Sequence, residues 1–248
     1  MIPGVDDYSP HWLCRTALWA GRDNLEKLKS SHVLVVGLGG VGAYAAEMIA
    51  RAGVGRMTIV DGDCIEESNI NRQLPAMTST IGVPKSELLE KRLLDINPEL
   101  QINALHKFIR DEETDLLLAA DYDYVVDAID TLSPKLNLII KAFKRKLPLV
   151  SSMGAGGKTD PGMVQLADIS KSYNCRLAKS LRKRLHRSGI YKGIDVVFSS
   201  EEVPDDLIVP YEDADGMCRS VAGTVSYMPA VFGCFCASAA IRNLLKKT

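Results

Sequence analysis

Val33-Leu34-Val35-Val36-Gly37-Leu38-Gly39-Gly40-Val41-Gly42, with Asp61 and then Asn69-Ile70-Asn71-Arg72-Gln73 downstream, is the stretch on which the fold of this chain turns. Residues 31–36 form an apolar, β-branched run of strand length that passes directly into a glycine turn. The Ala-, Met- and Ile-rich segment 43–52, ended by Gly53, predicts a helix. Gly37, Gly39 and Gly42 therefore satisfy G-x-G-x-x-G between a strand and a helix, the setting in which backbone amides can approach a phosphate closely. A second predicted strand, 56–60, ends in Asp61, where a carboxylate accepts from ribose hydroxyls. Three glycines in an ordinary tight turn would not account for the elements and the acid around them. The set marks a nucleotide site without separating ATP from NAD.

The residues that follow separate them. Arg72 presents a planar fork of donors suited to phosphate oxygens, and Lys85, opening a predicted helix over 84–96, adds a compact positive charge. A buried-strand pattern at 122–126 opens into Asp127-Ala128-Ile129-Asp130-Thr131. Asp130 thus lies at the carboxyl end of a parallel strand, placed to hold Mg²⁺ on a triphosphate. Singly, Arg72 or Lys85 reads equally as a surface ion pair and Asp130 as a helix cap. In this order behind a phosphate loop, they point to ATP.

These residues resemble the pattern of the ThiF/MoeB superfamily, the ubiquitin-activating-enzyme-like adenylyltransferases, over residues 8–150. The resemblance implies that Asp61 binds ribose and that Arg72 and Lys85 hold phosphates. It also implies that Asp130 carries Mg²⁺ and that Gly40, Asn69 and Gln73 line the nucleotide pocket. Such enzymes form homodimers and take an arginine from the partner subunit. Arg15, in His11-Trp12-Leu13-Cys14-Arg15-Thr16-Ala17-Leu18-Trp19, matches it on a predicted helix crossing the dimer interface. An ordinary exposed helix arginine is the alternative reading.

None of the six cysteines forms C-x-x-C, so the zinc site of sulfur-carrier-activating members is not expected. Cys234-Phe235-Cys236 reads as small core packing, and Cys218 beside Arg219 is open to a covalent role. The N-terminus lacks an uninterrupted apolar run and has early acids at Asp6 and Asp7, so reduced thiols in a cytoplasmic protein are the simplest account.

The formal charge is −1, from 30 Lys plus Arg against 31 Asp plus Glu, yet no acid falls between Asp168 and Asp195. Lys171, Arg176, Lys179, Arg182, Lys183, Arg184, Arg187 and Lys192 crowd that interval. A helix is predicted over about 174–188, with Leu177, Leu181 and Leu185 on one face. Lys179, Arg182, Lys183, Arg184 and Arg187 are its candidate nucleic-acid contacts. A solvated helix face is the bland alternative.

This half resembles the TcdA (CsdL) branch of the superfamily, the tRNA threonylcarbamoyladenosine dehydratases. The resemblance rests on Ser152-Met153-Gly154-Ala155-Gly156-Gly157-Lys158-Thr159-Asp160-Pro161, Leu181-Arg182-Lys183-Arg184-Leu185 and Val196-Val197-Phe198-Ser199. It implies that ATP adenylates a carboxylate on a tRNA anticodon-loop adenosine, which then cyclises with loss of AMP. Gly157 departs from the expected pattern, which has a polar residue there. Cysteine-desulfurase or sulfur-acceptor partners and a monovalent cation stay open. So do two other functions, activation of a ubiquitin-like sulfur carrier and a non-catalytic nucleotide-responsive scaffold for RNA binding or sulfur relay.

The expected fold is α/β: Rossmann-like βαβ units with a largely parallel sheet, then a C-terminal elaboration with antiparallel strands and a final helix. The 248 residues suit one adenylating domain, 8–150 its nucleotide half and 151–248 its substrate half. Residues 201–218 are expected as a mobile acidic loop, 223–227 as a strand, and a buried helix from Pro229 to Lys246. The uncharged interval 220–241 admits membrane association as a lesser alternative; stable insertion is not expected.

Overall fold

The computed structural model describes residues 9–212 and 218–246. Asp6, Asp7 and Tyr8, the acidic tip 213–217 and the side chain of Cys218 lie outside the described residues. Two short helices, α1 (Cys14–Ala20) and α2 (Arg22–Ser30), precede alternating strands and helices. These are β1 (His32–Val36), α3 (Gly42–Arg51), β2 (Arg56–Asp61), α4 (Lys85–Ile96), β3 (Gln101–His106), α5 (Asp111–Leu117), β4 (Tyr124–Asp127), α6 (Leu132–Lys144) and β5 (Leu149–Ser152). The second half adds β6 (Val164–Asp168), α7 (Arg176–Arg187), β7 (Asp195–Ser199), the hairpin β8 (Ile208–Glu212) and β9 (Cys218–Ala222), and α8 (Tyr227–Leu244).

Seven strands form one sheet in the order β3-β2-β1-β4-β5-β7-β6. Every neighbouring pair is parallel except β6–β7, which is antiparallel. β1 is buried on both faces, as its unbroken apolar run requires. Val33 and Val35 enter one core with α3, α4 and α8, while Leu34 and Val36 enter the other with α5, α6 and α7. The chain runs outward from β1 to β3 and then returns to place β4 on the other side of β1. That reversal opens a crevice at the carboxyl ends of β1 and β4, beside the glycine loop.

Helix α8 explains the uncharged interval. Met228, Phe232, Cys236 and Ala240 are fully buried between α3 and the sheet, and no described helix is long and apolar enough to cross a membrane. Gly233 permits the close crossing, because a Cβ there would lie 2.6 Å from the Val41 carbonyl oxygen. Truncating Phe232 to alanine would cost about 3–5 kcal/mol.

Four expectations need correction. Residues 223–225 are not a strand: the Gly223 amide bonds back to the Leu207 carbonyl at 2.9 Å and closes the hairpin. α8 therefore starts at Tyr227, with Pro229 in its first turn, where no amide hydrogen is required, and it ends at Leu244 rather than Lys246. The interval 201–218 contains a 3₁₀ turn (Asp205–Leu207) and β8, because Ile208 to Glu212 pair with Ala222 to Cys218. Only Cys236 of the C-x-C pair is core; Cys234, two residues before it, faces solvent from the helix.

Candidate active site

The glycine loop is built by contacts that exclude side chains. Gly37 has φ +87° and lies where a Cβ would meet the Ala128 carbonyl at 2.7 Å, while a Cβ on Gly42 would fall 1.7 Å from the Gly37 carbonyl oxygen. The loop is tied to the acid that follows it. The Leu38 amide donates to Asp61 Oδ2 at 2.6 Å and the Asp63 amide to Oδ1 at 2.8 Å. Burial pushes the Asp61 carboxyl above its ordinary range, against the pull of those two amides. No side chain caps the start of α3; the Ala43 amide donates to the Gly39 carbonyl at 3.3 Å, and the positive end of the helix dipole favours an anion there.

The arginine-bearing turn closes over this loop. Arg72 donates from Nη1 to the Ser68 carbonyl and to Asn71 Oδ1, both at 2.8 Å, which fixes one edge of its guanidinium and leaves the remaining donors for a ligand. Asn69 is buried and caps its own turn, its Oδ1 accepting from the Glu66 amide at 3.2 Å. A Cβ on Gly40 would press on Pro229 at 2.9 Å and on the Arg72 carbonyl at 3.3 Å, so loop, turn and α8 meet there. Gln73 lies against Gly39, and its buried Oε1 has no hydrogen-bond partner. An orphaned polar atom in such a cradle fits a ligand that supplies a donor. Lys85, itself buried, reaches the half-exposed Asp63 at 3.1 Å. Asp130 is exposed two residues beyond Ala128, accepting only from the Thr131 hydroxyl at 3.3 Å.

Arg15 is not in this crevice. It is exposed on α1, whose neighbour Leu13 packs on Gly53 at the opposite ends of the strands.

The second half docks directly on the first. Asn71 Nδ2 donates across to the Thr224 carbonyl at 3.1 Å. Within the second half, the Gly157 amide donates to the Gly223 carbonyl at 2.7 Å and the Tyr227 hydroxyl to the Thr159 carbonyl at 2.8 Å, which holds the Gly-Ala-Gly turn beside that junction. Gly157 departs from a polar residue for a steric reason. Its φ is +73°, and a Cβ would sit 2.2 Å from Val203.

In α7 the buried row is Ala178, Leu181 and Leu185, with Leu177 half-buried. Lys179, Lys183, Arg184 and Arg187 are exposed. Arg182 is turned inward: its Nη1 donates to the Ser172 carbonyl at 2.7 Å and to the Ser172 hydroxyl. Arg176 pairs with Asp205. The expected five-residue basic face is thus four solvent-facing charges and one structural anchor.

Two groups escaped sequence reasoning. Lys135 and Asp127 form a fully buried pair at 2.7 Å, with the Ser151 hydroxyl donating to the same carboxylate oxygen at 2.6 Å. Lys135 lies one turn before Leu138 and Ile139 on the apolar face of α6, and that misplaced charge was the available signal. Lys158 is the other, buried behind the Gly-Ala-Gly turn.

The sequence of residues 13–248 matches the ThiF family. The chain belongs to that family. It is 40% identical to the tRNA threonylcarbamoyladenosine dehydratase of Bacillus subtilis over 242 residues, covering 95% of each chain. The crystal structure of the Escherichia coli tRNA N6-threonylcarbamoyladenosine dehydratase, TcdA, in complex with ATP superposes with a TM-score of 0.84 at 33% identity, covering 96% of each chain. The molybdopterin-synthase adenylyltransferase of Escherichia coli is 40% identical but over only 62% of this chain. This ThiF-family chain therefore shares part of its length with that adenylyltransferase and nearly all of it with the dehydratases.

Proposed function

We propose that this chain is an ATP-dependent tRNA threonylcarbamoyladenosine dehydratase acting as a single adenylating unit. The observation that carries the reading is the direct junction of a phosphate crevice to a half bearing an acid-free basic helix, at Asn71–Thr224 and where Gly40 meets Pro229. Similarity to the dehydratases through both halves supports it.

The substrate's carboxylate attacks the α-phosphorus of ATP, pyrophosphate leaves, and the carbonyl carbon becomes bonded to AMP. A nitrogen of the same threonylcarbamoyl group then attacks that carbon, AMP departs, and the ring closes with net loss of water. Because the nitrogen is already tethered, proximity replaces a protein nucleophile, and Cys218 needs no covalent role.

In this reading Gly37, Gly39, Gly40 and Gly42 give their backbone to the phosphates and Asp61 takes the ribose. Asn69 and Gln73 line the pocket, and the orphaned Gln73 Oε1 receives a donor from the nucleotide. Arg72 and Lys85 balance charge on the phosphates as pyrophosphate leaves. Lys85 exchanges its contact with Asp63 for that role. Asp130 is the carboxylate for Mg²⁺, which when bound supplies charge neutralisation on the triphosphate. Arg15 lies outside its own crevice and acts in trans within a homodimer. Lys179, Lys183, Arg184 and Arg187 bind the tRNA backbone. The setting is the cytoplasm, and sulfur-acceptor proteins are partners outside the reaction itself.

Pyrophosphate release measured with threonylcarbamoylated tRNA, unmodified tRNA and a sulfur-carrier C-terminal peptide tests the reading. Release with the modified tRNA alone is expected. Release only with the peptide would assign the chain to sulfur-carrier activation, and release with none would leave a binding scaffold.

A further inference from the structure

Lys158 follows the Gly-Ala-Gly-Gly turn and is only 2% exposed. Its Nζ donates to three backbone carbonyls, those of Asn174 at 3.0 Å, Ser199 at 3.5 Å and Glu201. The carboxylate of Glu201 is directed elsewhere. It accepts from the Thr159 amide at 2.8 Å, the Thr159 hydroxyl at 2.7 Å and the Asp160 amide at 3.0 Å. The ammonium is therefore held by neutral carbonyl dipoles, the ligand chemistry that replaces the hydration shell of an alkali-metal ion.

The three carbonyls come from separate places: the residue before the N-cap of α7, the end of β7 and the segment after it. Asn174 takes the left-handed conformation at φ +51°, which asparagine tolerates, and its side-chain amide donates to the Ser200 carbonyl at 2.9 Å. Without a cation at their centre, three carbonyls, the buried one of Ser199 among them, would face one another unpaired. Burial lowers the Lys158 pKa, while Cys175, Glu201 and Glu202 oppose that shift.

We propose that Lys158 is a tethered monovalent cation. Its ammonium fills a carbonyl cage that would otherwise take a free potassium or ammonium ion, and so fixes the start of α7 to the Gly-Ala-Gly turn. The free monovalent cation left open by the sequence has its place taken here by a side chain.

Thermal unfolding of the full chain in potassium, ammonium or choline chloride at equal ionic strength tests this. The wild-type Tm is expected to agree across the salts within about 1 °C, because no free ion is bound at the cage. Lys158→Ala is expected to lose about 5–10 °C in choline chloride and to recover at least half of it in ammonium or potassium chloride. Choline is too large for the cage and contributes ionic strength only. A Lys158→Ala protein that gains nothing from the small cations over choline overturns the proposal, as does a wild type whose Tm follows the cation. If Lys158→Ala gives no soluble protein in any salt, the same comparison on Lys158→Gln decides. The readout is stability, so its failure is distinguishable from failure of the tRNA reading.

Discussion

Asn71 and Thr224, 153 residues apart, are joined by a 3.1 Å hydrogen bond from the asparagine side chain to the threonine carbonyl. Asn71 also accepts from Arg72, so one amide sets the Arg72 guanidinium and the approach to α8 together. Asn71→Ala should weaken both substrates at once: kcat/KM for ATP and for tRNA should each fall about 10-fold, the loss of roughly one positioned hydrogen bond. A change confined to the ATP parameters would show that the two halves are not coupled there.

Arg72→Ala removes charge balance in the crevice without touching α7. The rate of pyrophosphate release should drop about 10²–10³-fold while tRNA affinity stays unchanged, measured by single-turnover kinetics and filter binding on the same preparation. Asp130→Asn should also slow turnover and should shift the magnesium titration to higher concentration. A lower rate with an unmoved titration would remove Asp130 from the metal site.

On α7 the charges divide into two kinds. Reversing Lys179, Lys183 and Arg187 to glutamate should lower tRNA affinity by more than 10-fold and flatten its dependence on salt, with ATP binding intact. Arg182→Ala should instead lower stability, by about 1–3 kcal/mol in urea titrations, because it strips the Ser172 carbonyl of a charged donor. Unchanged tRNA binding in the triple reversal would refute the basic-helix reading.

Lys135 and Asp127 show where legibility in the sequence ends. The positions of the glycine loop, Asp61 and Asp130 in the fold could be read because each lies within a few residues of a strand end, while Arg72, eleven residues past the end of β2, was located by its motif. The β-branched runs likewise announced a parallel sheet. Lys135–Asp127–Ser151, Arg182–Ser172 and the Lys158 cage are closed by tertiary contacts, and no local pattern says which polar residue turns inward. The acidic composition of 201–218 concealed β8 for the same reason, since its partner strand lies beyond the acids. Lys135→Ala should cost about 3–5 kcal/mol by leaving a buried carboxylate alone, and Asp127→Asn combined with Lys135→Met should recover much of that loss. Urea unfolding of the single and double variants measures the difference.

Glu47 offers a pH test remote from the site. Burial alone would raise its pKa, but hydrogen bonds from Arg92 at 2.6 Å and Arg51 at 2.8 Å outweigh it, and the carboxyl lies below its ordinary value. A depressed folded-state pKa stabilises above the unfolded value and loses that stabilisation as pH falls through the folded one. The stability gap between wild type and Glu47→Gln should therefore be constant near neutrality and shrink below about pH 4. Denaturant midpoints at a series of pH values give that gap directly.

The inward anchor at Arg182 has a consequence for the residues around it. By pinning the roll of α7, it makes Lys179, Lys183 and Arg187 a straight-edge, one charge every turn at about 6 Å intervals along the axis. A flexible row of lysines would adapt to any polyanion and lose entropy on every contact. A row whose helix is already keyed to Ser172 meets only those backbones whose phosphates keep its step. In the proposed tRNA-binding role, the helix thus selects by spacing as well as attracting by charge.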